Sequence, residues 1–142
     1  MKLSTRARYG LRSLVYLARR GAATVVQLSD IAAHEAVSEK YLEHLFRQLK
    51  AAGLVFAIRG ARGGYRIARD PSTIPLLEVI EALEGKLTPV DCVEDPKLCE
   101  RSSECVTRGV WKEFEEVIRG FFSSRTLADL AFGTGRKAHD QA

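Results

Sequence analysis

Ser38-Glu39-Lys40-Tyr41-Leu42-Glu43-His44-Leu45-Phe46-Arg47-Gln48-Leu49-Lys50-Ala51-Ala52-Gly53-Leu54-Val55-Phe56-Ala57-Ile58-Arg59-Gly60-Ala61-Arg62-Gly63-Gly64-Tyr65-Arg66-Ile67-Ala68-Arg69 is the stretch on which the fold turns. Ser38 is a good helix N-cap, and Glu39 complements the positive end of a helix in its first turn. Leu42, Leu45, Phe46 and Leu49 recur at helical spacing and make one apolar stripe. Gly53 suits the position just past the helix end, where the backbone turns left-handed. Two short strands are expected next, Leu54–Arg59 and Tyr65–Arg69, joined by a turn whose glycines permit positive φ.

Upstream, Leu28, Ile31 and Ala32 mark a short helix of about two turns, followed by a brief turn at Ala36-Val37. Before it, Leu11, Leu14, Val15 and Ala18 follow the cap Ser4 and predict a first helix that Gly21 ends. Helix, turn, helix and then a hairpin with arginine at its tip is the order of a winged helix-turn-helix. The predicted fold is therefore mainly α, with a small β-hairpin wing.

Downstream, Leu76, Val79, Ile80 and Leu83 predict a further helix closed by Gly85. A longer helix is expected from about Val106 to Phe122, carrying Val110, Trp111, Phe114, Val117, Ile118 and Phe121. This stripe either packs on its own core or makes a dimer. The preceding domain already holds enough apolar residues for a small core, which favours the dimer. Thr126 is expected to cap a last short turn through Leu130. The division is residues 1–85 as the DNA-binding domain, 86–105 as a cysteine-bearing loop, 106–132 as the dimerisation helix and terminal turn, and 133–142 as a disordered tail.

Charge separates along the chain. Residues 1–70 hold 13 Lys+Arg against 5 Asp+Glu, and residues 71–142 hold 9 against 13. This suits a polyanion partner for the first half, and on charge alone equally an ordinary solvated face. In the third helix Lys40, Glu43, His44, Arg47 and Lys50 face away from the apolar stripe. Arg and Lys can neutralise phosphates or reach guanine, and Glu43 can accept from cytosine N4. Arg59 and Arg62 on the wing suit a narrow minor groove. A phosphate-cradling nucleotide loop is disfavoured there, since no Lys-Ser/Thr pair and no helix follow directly. The longest apolar run, Ala51–Ile58, is broken by Gly53 and too short to span a bilayer. No apolar signal segment opens the chain, so a cytoplasmic protein without membrane contact is expected.

Cys92, Cys99 and Cys105 are the three cysteines, separated by six and five residues in a charged segment. An odd count disfavours a closed disulfide framework. Zinc fits poorly, because it prefers four ligands and short Cys-x₂₋₄-Cys pairs. A thiol switch, with one low-pKa cysteine and a resolving partner, stands beside metal binding. No nucleophile–base pair, phosphate loop or paired catalytic carboxylates form a recognisable motif, which argues against an enzyme.

Met1-Lys2-Leu3-Ser4, Arg8-Tyr9, Leu28-Ser29-Asp30-Ile31-Ala32, Ser38–Glu43, Leu54-Val55 and Arg59–Tyr65 resemble the Rrf-two family of bacterial winged-helix regulators. The resemblance continues through Glu78–Gly85, the cysteines and the tryptophan helix, to about residue 132. It implies a regulator, more often a repressor, that binds an inverted-repeat operator in double-stranded DNA as a homodimer. The implied DNA contacts are Lys2, Arg8, Ser38, Lys40, Tyr41, Glu43, His44, Arg47, Arg59, Gly60, Arg62 and Gly63. It also implies that Cys92, Cys99 and Cys105 bind an iron–sulfur cluster, [2Fe–2S] ahead of [4Fe–4S], which senses iron–sulfur or iron status, redox change or nitric oxide. Relatives that lack the cysteines use protein partners or other signals. One departure stands out. Members resembling IscR place a histidine three residues after the last cysteine, where this chain has Arg108. Members resembling NsrR take an acidic ligand from the partner's first helix, where this chain has Arg8, with Arg12 one turn on. A guanidinium is no ligand. The fourth ligand is then a loop carboxylate (Asp91, Glu94, Asp95, Glu100 or Glu104) or an exogenous group.

Overall fold

In a computed structural model that describes residues 1–133, seven helices and a two-stranded antiparallel sheet run α1 (Thr5–Arg20), α2 (Leu28–Glu35), α3 (Glu39–Ala51), β1 (Val55–Ile58), β2 (Gly64–Ile67), α4 (Leu76–Glu84), α5 (Asp91–Glu94), α6 (Arg108–Ser123) and α7 (Leu127–Phe132). The expected mainly-α fold with its hairpin wing is present. Residues 134–142, where the tail was expected, lie outside the described part.

The helix boundaries follow from local chemistry. Ser4 accepts from the Ala7 amide at the start of α1, and Ser38 accepts from the Tyr41 amide at the start of α3. Each satisfies a donor that the first helical turn leaves open. Thr126 and Asp129 make a reciprocal capping box at α7, which runs two residues past the expected end at Leu130. The turn between α2 and α3 places Ala36 in the left-handed region at φ 55. An L-residue with a Cβ occupies that region at a cost of about 1–2 kcal/mol.

The core lies where α1, α2, α3, α4 and the hairpin meet. Leu14, Leu17, Ile31, Leu42, Leu45, Phe46 and Leu49 are fully buried there, joined by Leu54, Ile67, Ile74, Val79 and Leu127. All four residues of the predicted α3 stripe are among them. Gly10 permits a close approach of α1 to α4: a Cβ there would stand 2.3 Å from a Leu83 methyl. A second cluster of Ala7, Ile80 and Leu87 receives the inner edge of α6 through Ile118 and Phe122.

The hairpin is shorter than expected, pairing Val55 with Ile67 and Ile58 with Gly64. Sequence reasoning missed a third pairing. Val26 and Tyr65 exchange backbone hydrogen bonds of 2.8 and 2.9 Å, tying the segment before α2 to the wing. Gly64 allows this approach, since a Cβ there would lie 2.2 Å from the Val26 carbonyl oxygen.

Candidate DNA interface and cysteine segment

The outer face of α3 rises from the stripe that buries its inner face. Lys40, Glu43, His44 and Arg47 line one shallow cleft on it. Arg47 Nη2 donates to Glu43 Oε1 at 2.7 Å, one helical turn apart. Glu43, expected to read cytosine, thus also orients Arg47. An exposed pair of this kind contributes about 0.3–0.5 kcal/mol, so DNA can separate the two at little cost. Tyr41 sits half-buried at the edge of this face. Its hydroxyl donates to Thr5 Oγ1 at 3.3 Å, and its ring meets Tyr9 edge-on. Ser38 Oγ accepts from the Tyr41 amide at 3.1 Å, which leaves its O–H free to donate. Lys2 and Arg8 are exposed near the start of α1.

The wing carries Arg59 and Arg62 fully out in solvent around the Gly60 turn. Gly63 closes that turn with an amide hydrogen bond to the Gly60 carbonyl at 2.9 Å. A Cβ on Gly63 would lie 2.2 Å from the Ile58 carbonyl oxygen, so its role is to admit the turn.

The cysteine segment is more ordered than a plain loop. Asp91–Glu94 forms one helical turn and Pro96–Leu98 a 3₁₀ turn, capped by the Asp95 carboxylate on the Lys97 amide at 3.0 Å. Cys92 and Cys105 are half-buried, Cys99 is exposed, and all three thiols are free. A hydrogen bond with Thr107, helped by the Arg108 amide and charge, holds the Cys105 thiol below its usual pKa. Arg108 Nε donates to the Cys92 carbonyl at 3.0 Å, joining the two ends of the segment. Among the described residues no three His, Cys, Asp or Glu side chains converge as a metal site. The donor chemistry nonetheless fits an iron–sulfur cluster, whose protein ligands are thiolates, with one of the usual four unfilled. Of the carboxylates nearby, Glu94 pairs with Lys86 at 3.1 Å and Asp95 is committed to its cap. Asp91, Glu100 and Glu104 are exposed and make no side-chain bond within the described residues.

The apolar stripe of α6 faces outward. Val110, Trp111, Phe114, Val117 and Phe121 are exposed, and no residue of the helix is fully buried. Ile118 differs: it is half-buried against the Ala7–Ile80–Leu87 cluster. An ion pair of Arg119 with Glu81 also fastens α6 to α4. No helix of the described residues is long and apolar enough to cross a membrane.

Against known proteins, the model of the Rrf2 family, described as an iron-dependent transcriptional regulator, matches residues 3–132. Protein rrf2 of Nitratidesulfovibrio vulgaris is 42% identical over 130 residues, covering 92% of this chain and 87% of that protein. The solved structure of CymR, the global cysteine regulator of B. subtilis, superposes with a TM-score of 0.77 at 37% identity, covering 94% of this chain and 98% of that one. IscR of T. potens superposes at 0.73 with 34% identity, covering 99% and 94%.

Proposed function

Because the chain belongs to the Rrf2 family of winged-helix transcriptional regulators, we propose that it is a homodimeric repressor whose grip on an inverted-repeat operator is set by an iron–sulfur cluster on Cys92, Cys99 and Cys105. The α3 face and the wing are the reading elements, and the outward stripe of α6, with Ile118 at its inner edge, is the dimer contact. The observation that carries the regulatory part is position. All three thiols lie on the one segment that feeds α6, with Cys105 three residues before its first turn.

Such a cluster supplies iron that reacts with oxygen, nitric oxide or a change of redox poise. The residues of the chain would do the rest. Arg108 holds Cys92 to the start of α6, and Arg119 with Ile118 holds α6 to the DNA-binding domain. A rearrangement of the segment therefore reaches the spacing of the two reading heads through one helix. Metal binding commonly orders its own site in this way. Asp91, Glu100, Glu104 or an exogenous ligand would complete the set, and an open iron position would favour nitric oxide or oxygen.

A second reading has its own support. The likeness to the cysteine regulator CymR, together with the free thiols and the lowered pKa of Cys105, favours a thiol switch or a partner-controlled repressor of sulfur metabolism. Anaerobic purification with absorption spectra and iron and sulfide analysis separates the two. The cluster reading expects a brown protein with matching iron and sulfide. It expects a colourless, folded, unresponsive protein when all three cysteines become alanine. A parent that stays colourless after anaerobic reconstitution selects the second reading.

A further inference from the structure

A cavity lies away from both the reading face and the cysteines. It encloses about 620 Å³ between α1, α2 and α7, and no residue of α3 or the wing lines it. That volume is in the range of metabolite sites. Leu11, Val15, Tyr16 and Leu130 give it an apolar wall.

Its polar groups are arranged around one buried charge. The Glu35 side chain is only 2% exposed, with Arg12 Nε 2.8 Å from one carboxylate oxygen and His34 Nδ1 3.1 Å from the other. The Arg12 contact lies off the hydrogen-bonding direction, so that oxygen is charge-compensated without a directed donor. The carboxylate is buried while both partners stay open to the cavity and solvent, Arg12 at 62% and His34 at 56% exposure. His34 in turn packs on Tyr16 with ring centroids 4.3 Å apart. Arg12 approaches Glu35 most closely through Nε, and its guanidinium also lies 5.5 Å from the Tyr9 ring. Arg19 is committed to the Ala131 and Leu130 carbonyls at the end of α7. Arg20, whose guanidinium sits 5.9 Å from the Tyr16 ring, has no ion-pair partner among the described residues. Three arginines against one carboxylate leave the cavity with surplus positive charge beside an apolar wall.

We propose that this cavity binds a small organic anion, with a carboxylate or phosphate head on Arg20 and an apolar body against Tyr16 and Leu130. Guanidinium forks suit both head groups. The ligand would bridge α1 to α7 beside α2, the first helix of the helix-turn-helix, on a side that carries none of the α3 or wing residues. It would be an input separate from the cysteine segment.

The test uses the full ¹⁵N-labelled chain without DNA, so it stands or fails independently of the operator and cluster readings. Phenylacetate and phenyl phosphate are titrated in, with phenylacetamide as the uncharged control. Saturable amide shifts are expected around Arg12, Tyr16 and His34 with at least one anion, and which anion binds assigns the head group. Arg20→Gln is expected to weaken that binding at least ten-fold. Leu130→Trp, at an exposed position on α7, is expected to block it by filling the cavity. The proposal is overturned if neither anion shifts these amides, if phenylacetamide binds equally well, or if both variants bind as the parent does. A chain ending at Gly133 should bind as the full chain does. Ten-fold tighter binding there would make residues 134–142 the natural occupant and overturn the proposal.

Discussion

The region from α1 to α4 and the region from Lys86 to Ser123 hold their apolar residues in opposite ways. In the first, Leu14, Leu17, Leu42, Leu45, Phe46 and Leu49 have no solvent exposure, while α5 and α6 fully bury none of their residues. The first region closes its core within the chain, with Leu127 of α7 as part of it. In the second, large side chains stand in water and three thiols stand free. A stripe holding Trp111, Phe114 and Phe121 is more than stray surface hydrophobicity, because such residues gain roughly 25 cal/mol per Å² when covered. The contrast separates the part of the molecule that buries its apolar residues from the part that leaves them exposed.

Substitutions should divide along the same line. Phe46→Ala empties a buried site and should cost about 3–5 kcal/mol of folding stability, read by urea denaturation at fixed protein concentration. A loss under about 1 kcal/mol would mean that α3 does not rest on this core. Phe114→Ala should leave the fold intact and weaken the dimer by about 2 kcal/mol, roughly 30-fold, in a sedimentation dilution series. An unchanged dimer would move the interface off α6. Arg62→Ala should alter neither folding nor assembly. Its expected effect is about 1 kcal/mol of DNA affinity and a salt slope shallower by about one unit. An unchanged slope would remove the wing tip from the phosphate contacts. The smallest effect expected is a gain. Ala36→Gly relieves the left-handed Cβ at φ 55 but adds freedom to the unfolded chain, for a net stabilisation of about 0.5 kcal/mol in the same denaturation experiment.

Legibility in the sequence followed how local each cause was. The α3 stripe, the Ser38 cap and the closing Gly53 are decided within a few residues, and the structure has them in place. The Val26–Tyr65 pairing joins residues 39 apart, and no short-range pattern announces it, although Thr24-Val25-Val26 is a β-branched run that could have marked a strand. The turns within the cysteine segment were readable in principle: Asp95-Pro96 is a cap followed by a proline suited to a first helical position. The charge of the surrounding segment masks that signal. Glu35 was hidden for a different reason. A carboxylate on a short helix reads as solvated, and only its packing against Arg12 of α1 puts it inside.

The hydrogen bond from Arg108 to the Cys92 carbonyl spans 16 positions of chain. Closing a flexible ring of that length carries an entropic penalty of about 2.5 kcal/mol beyond a constant. A hydrogen bond to a charged donor returns about 1.5–3 kcal/mol. The bond thus offsets the length-dependent part of that penalty, and the side chain that cannot ligate iron is the one that ties the two ends of the cysteine segment together.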